Sequence, residues 1–122
     1  MRLLPIVLAA ASLGIAPARA ADPGERAFQY CISCHSVDPA DAKISAPNLA
    51  HVIGRPVAAQ KGFDYSPALK AFAKKTKRWT PELIDQLLAD PQALIPGTRM
   101  ELPPQLKKAD VRAAAIGYLQ QH

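Results

Sequence analysis

No stretch of this sequence alternates apolar and polar residues for long enough to read as a strand, and no segment repeats another. That points to an all-α fold. Aromatics are scarce as well, at 6% of 122 residues, and the apolar share leans on alanine. A chain of this length fits one domain and buries a modest core, so it would benefit from an internal filler or staple. No aromatic residues alternate with the basic ones, which leaves nucleic-acid binding without support. Beyond the first twenty positions no run approaches the ~20 apolar residues that span a bilayer, so stable membrane insertion of the remainder is not expected. Cysteine occurs twice, at Cys31 and Cys34, and methionine twice, at Met1 and Met100.

The first twenty residues read as a leader rather than as part of the domain. Met1-Arg2 is a positive start, Leu3 to Ala16 is almost wholly apolar, and Ala18-Arg19-Ala20 has the small-x-small pattern of a signal-peptidase site. Cleavage after Ala20 leaves residues 21–122 as the mature domain, exported to the periplasm. The rival reading is a retained anchor. Against it, the apolar run is short for a membrane span and Pro5 and Pro17 interrupt its ends. Losing Arg2 and Arg19 takes two from the 15 basic residues and, against 10 acidic ones, leaves a mature charge of about +3. The basic residues cluster at Lys70, Lys74, Lys75, Lys77 and Arg78, and again at Lys107, Lys108 and Arg112. Such clusters are usually solvated helix faces. A positive face also steers a protein toward an acidic partner, raising encounter rate more than affinity.

Residues 21–122 read as about four helices joined by proline-rich loops. Asp22-Pro23-Gly24-Glu25 opens the first with an acceptor at the cap, proline in the first turn and Glu three residues on. It is expected to reach about Ile32 and to deliver Cys31 near its end. Residues 36–63, with Pro39, Pro47, Gly54, Pro56 and Gly62, form a long loop, unusual in a compact domain unless something orders it. Ser66-Pro67 opens a helix to about Lys74. Thr80-Pro81-Glu82 opens a third, with Leu83, Ile84, Leu87 and Leu88 as its apolar stripe, ending near Asp90-Pro91. Gln92 to Pro104 is a second loop. A last helix, about Lys108 to Gln120, places Val111, Ala115, Tyr118 and Leu119 largely on one face.

The chemistry concentrates in Cys31-Ile32-Ser33-Cys34-His35, the Cys-x-x-Cys-His spacing of covalent haem attachment. Each thiol adds across one porphyrin vinyl group, two intervening residues span neighbouring vinyls, and the adjacent imidazole is held beneath the iron as an axial ligand. Three other readings compete. A zinc site needs two further ligands at a matching spacing, which the sequence lacks. A thioredoxin-like pair expects a βαβ setting, whereas the flanks here are helical. A structural disulfide suits an exported chain but leaves His35 unexplained. With Met1 lost in the leader, Met100 is the one thioether of the mature chain. It stands in the irregular loop Ile95-Pro96-Gly97-Thr98-Arg99-Met100, where core filling is a poor explanation, and His/Met ligation would raise the reduction potential. His51 is the rival sixth ligand; His122 and the lysines are further nitrogen candidates.

With these residues in hand the chain resembles the class I c-type cytochromes, the family of mitochondrial cytochrome c and its soluble bacterial relatives, across nearly all of residues 21–122. Gly24 to Phe28 matches the family's first helix, and Tyr118-Leu119 its last, which implies that the two cross near Phe28. Pro47-Asn48-Leu49 is similar to the loop whose proline carbonyl accepts a hydrogen bond from the ligand histidine, implying that Pro47 orients His35. Gly54-Arg55 is similar to the segment whose arginine lies near a haem propionate. By the same resemblance Tyr65 and Trp79 would hydrogen-bond the buried propionate, and Thr98 in the methionine loop would contact it too. Some positions depart from the pattern. Ala46 and Ala50 stand where relatives often have glycine, Leu87 where many have a tyrosine bonded to the methionine sulfur, and Leu102 where many have an aromatic at the haem edge.

The resemblance implies a small cytochrome c fold wrapped around one covalent haem c, and a monomeric single-electron carrier rather than an enzyme. Its expected partners are redox proteins with acidic docking surfaces. A haem subunit bound permanently to a periplasmic oxidoreductase is the alternative. A peroxidase would need a labile sixth position and a distal acid–base group, for which His51 is the obvious candidate.

Overall fold

The computed structural model describes residues 14–41 and 45–122. The leader's positive start and most of its apolar run lie outside the described residues, while residues 14–22 have no regular structure and are exposed. Five α-helices follow: α1 (Pro23–Phe28), α2 (Pro67–Lys75), α3 (Pro81–Ala89), α4 (Pro91–Leu94) and α5 (Ala109–Leu119), with a 3₁₀ turn over Pro104–Lys107 between the last two.

One local grammar starts four of the five helices. Asp22, Ser66, Thr80 and Asp90 each place a side-chain oxygen on a backbone N–H of the first turn, and a proline follows each of them. The cap oxygen satisfies a donor that has no intrahelical partner, and proline loses nothing where its missing N–H would be unpaired. Lys74 and Lys75 in the last turn of α2 sit where the helix dipole favours cations. The α1 helix is shorter than its sequence suggests, ending at Phe28. Its chain continues as tight turns, with Cys31 N–H donating to Phe28 O and His35 N–H to Cys31 O, both at 2.8 Å. The second loop also holds more structure than expected, since α4 and the 3₁₀ turn occupy its two ends.

The core joins Phe28, Val52, Val57, Trp79, Ile84, Leu88, Ile95, Leu106, Ile116 and Leu119, and Leu106 is completely buried. The first helix crosses the last. Phe28 and Tyr118 stack with ring centroids 4.8 Å apart, and at Gly24 an added Cβ would stand 3.0 Å from both Ala114 O and Tyr118 Cβ. A side chain at this crossing would force its neighbours to give by a few tenths of an ångström. Arg112 fastens the other flank of α5, donating from Nε to Asp85 on α3 at 2.7 Å and from its terminal nitrogen to Leu106 O and Lys107 O.

No regular sheet occurs among the described residues. One isolated antiparallel bridge between Pro56 and Arg78 holds the first loop against the segment before α3. Around it Gly54 N–H donates to Trp79 O at 2.7 Å and Trp79 N–H to Arg55 O at 3.0 Å. This clip sets Arg55 beside Trp79.

Candidate functional site

The loops, the end of α1 and the inner faces of α3 and α5 enclose a mostly apolar cavity of about 300 Å³. Cys31, Cys34, His35, Pro47, Arg55, Tyr65, Trp79, Thr98 and Met100 all line it, although they come from six separate stretches of sequence. His51 and His122 do not. His51 is exposed, takes a left-handed backbone (φ 53°) and uses its N–H to bond the carbonyl of His122 at 2.9 Å.

His35 is aimed by its backbone partner. Its Nδ1 lies 2.7 Å from Pro47 O. A carbonyl oxygen only accepts, so Nδ1 carries the proton and Nε2 keeps the lone pair that a metal needs. No disulfide joins Cys31 and Cys34; Cys34 is exposed and Cys31 partly buried. Burial pushes the Cys31 thiol up to about 11, which keeps it neutral at physiological pH.

The methionine segment is held as a rigid loop. Pro96 and Gly97 are the central residues of a turn closed by Thr98 N–H to Ile95 O at 2.9 Å, and Gly97 takes φ 88°. A turn of that type wants proline first and a left-handed residue second. Gln92 on α4 clamps the turn from outside, accepting from Gly97 N–H at 3.0 Å and donating to Thr98 O at 2.9 Å. The Arg99 guanidinium donates to Asp64 O, tying the loop to the chain before α2. Thr98 Oγ1 accepts from Met100 N–H at 3.3 Å, leaving its own proton to give elsewhere. Met100, Glu101 and Leu102 also line a second, more polar depression of about 380 Å³ with Asp90 and Lys107.

Polar groups converge at the far wall. Arg55 donates to Asn48 O at 2.8 Å and to Ala50 O at 3.3 Å. Burial lowers its pKa and the neighbouring Tyr65 hydroxyl acts in the opposite sense; a guanidinium stays charged under either influence. Tyr65 Oη accepts from Gln60 N–H at 2.9 Å, so its hydroxyl proton is available to an anion in the cavity. Gln92 and Gln60 are the site-supporting residues that sequence reasoning missed. For Gln92 a signal existed, because Asp90-Pro91 repeats the cap-and-proline grammar of Ser66-Pro67 and Thr80-Pro81. For Gln60 none did.

Among the described residues no group of three or more His, Cys, Asp or Glu stands close enough to hold a metal ion, which gives the zinc reading no donor set. The chain is similar to known proteins over most of its length. It is 42% identical over 101 residues to "Cytochrome c type-1" of Ascaris suum, covering 82% of this chain and 86% of that one. It is 34% identical over 93 residues to "Cytochrome c-550" of Ancylobacter novellus, covering 74% and 87%. The solved structure of cytochrome c2 from Rhodospirillum centenum superposes with a TM-score of 0.74 at 31% identity, over 83% of this chain and 98% of that one. The chain belongs to the class I c-type cytochromes. No family model matches it. This cytochrome carries one covalently attached haem c and is an electron-transfer protein, not an enzyme. Its cavity fits that group on its own evidence, with an apolar lining, two thiols at the attachment spacing and an imidazole whose Nε2 is kept unprotonated. Among the described residues no helix is long and apolar enough to cross a membrane.

Proposed function

We propose that this cytochrome is a diffusible, monomeric periplasmic carrier, exported by a leader cleaved after Ala20, with His35 and Met100 as the axial ligands of its haem iron. The observation that carries the ligand assignment is that His35 and Met100 line the same cavity as Cys31 and Cys34, whereas the rival nitrogens of His51 and His122 lie outside it. The position of His51 likewise gives a peroxidase no distal acid–base group.

When bound, the haem supplies a one-electron Fe(III)/Fe(II) couple. The protein's own work is to set the conditions for it. Cys31 and Cys34 hold the porphyrin covalently, Pro47 fixes the tautomer and direction of His35, and Met100 offers a soft sulfur that favours the ferrous state. The apolar walls, among them Leu49, Val52, Ile84, Leu88 and Ile95, exclude water and disfavour the extra charge of ferric haem. Arg55, Tyr65, Trp79 and Thr98 supply hydrogen-bond donors for the propionates. Tyr30 and Ile32, about 40% exposed, flank the first attachment cysteine. They give an apolar contact point for an acidic-rimmed redox partner steered by the lysines.

An absorption spectrum of the holoprotein in both redox states tests the reading. Low-spin spectra with a methionine-to-ferric charge-transfer band are expected; a high-spin ferric form, or one without that band, overturns the ligand set.

Leu87 lines the cavity that Met100 also lines, yet its side chain has no hydrogen to donate to sulfur. The Met100–iron bond is therefore expected to yield to added imidazole about tenfold more readily than in a Leu87→Tyr variant, the worth of about one hydrogen bond. Equal imidazole affinities in spectral titrations would remove Leu87 from the account.

A further inference from the structure

The peptide group between Pro47 and Asn48 is hydrogen-bonded at both ends. Its oxygen accepts from His35 Nδ1 at 2.7 Å, and its N–H donates to Oε1 of Gln60, also at 2.7 Å. Only the amide oxygen of Gln60 can meet an N–H, so the orientation of that side chain is determined by chemistry. The C=O and N–H of one peptide unit are conjugated. An acceptor drawing on the N–H raises electron density on the oxygen, and hydrogen bonds in series strengthen one another in this way.

We propose that Gln60 is a positioning residue for electron transfer: acting through the Pro47–Asn48 peptide, it strengthens the His35 Nδ1–H···O bond, makes the ring a stronger electron donor to the iron, and lowers the reduction potential. The proposal rests on His35 being the axial nitrogen ligand. Gln60 does not line the cavity, so its side chain acts on the cofactor at one remove. The relay is rigid. Asn48 Nδ2 donates to Asp38 O at 2.6 Å and Asp41 O at 3.0 Å, its Oδ1 accepts from Ala50 N–H at 2.8 Å, and its carbonyl accepts from Arg55 at 2.8 Å. The peptide plane is thereby prevented from turning away from His35. Gln60 is itself held through its backbone N–H on Tyr65 Oη at 2.9 Å, a bond that side-chain substitution spares.

The test uses holoprotein carrying Gln60→Met, of similar size but without a strong acceptor, and Gln60→Glu, which keeps one. At the wild-type midpoint potential the ferric-to-ferrous ratio of Gln60→Met is expected to fall about two- to tenfold, an upward shift of about 20–60 mV for a one-electron couple. In the ferrous protein the His35 Nδ1 proton resonance should move upfield in Gln60→Met and downfield in Gln60→Glu, together with the Asn48 amide. Unmoved His35 and Asn48 resonances in either variant overturn the proposal, so Gln60→Glu alone decides it if Gln60→Met does not fold. The ligand reading fails separately, if wild-type holoprotein lacks the low-spin His/Met spectrum.

Discussion

Replacing Met100 by alanine should lower the midpoint potential of the holoprotein by about 0.2 V, within the ≈ 0.8 V range over which axial ligands set haem potentials. A thioether is a soft donor that binds ferrous iron better than ferric, so its loss costs the reduced state more. The methionine-to-ferric charge-transfer absorption should vanish in the same variant. His51→Ala and His122→Ala should leave both readings at their wild-type values, because neither histidine lines the cavity. Potentiometric titration with spectral detection checks all three variants. Persistence of the band in Met100→Ala together with its loss in His51→Ala would transfer the sixth position to the histidine.

Leu106→Ala should be the most destabilising single truncation, at about 3–5 kcal/mol. Leu106 is completely buried within the 3₁₀ turn. The turn cannot collapse into the hole, because Arg112 holds the Leu106 carbonyl at 3.1 Å and the Lys107 carbonyl at 2.7 Å. Natural domains hold only about 5–15 kcal/mol in total, so the melting temperature should fall by more than about 10 °C. In guanidinium unfolding the midpoint should drop with an unchanged slope. A loss below about 1 kcal/mol would show that the turn relaxes despite Arg112.

Much of this architecture was legible in the residues, for reasons that differ from place to place. The starts of α1, α2 and α3 carry cap-and-proline signals that act within four residues, and local chemistry of that kind reads directly from sequence. The ends were harder. Nothing in Gln29-Tyr30-Cys31 breaks a helix, yet the first helix ends at Phe28 and the chain goes on in tight turns. The fourth helix was hidden by its length, since four residues leave no periodicity to detect. Cys31 to His35 declared itself by spacing alone. Arg55, Tyr65 and Trp79 are spread over residues 55–79, and only a resemblance to relatives brought them together before the structure did. Gln60 was invisible at that stage, because its importance lies in a contact 12 residues distant with a backbone amide, which no side-chain pattern encodes.

The crossing of α1 and α5 joins the two ends of the domain. A six-residue helix does not persist in isolation, so α1 has no lasting shape until residues 109–119 have been synthesised and have packed against Gly24 and Phe28. Cys31 lies three positions beyond that helix and shares its fate. The attachment cysteines are therefore expected to stay reachable until that crossing has formed.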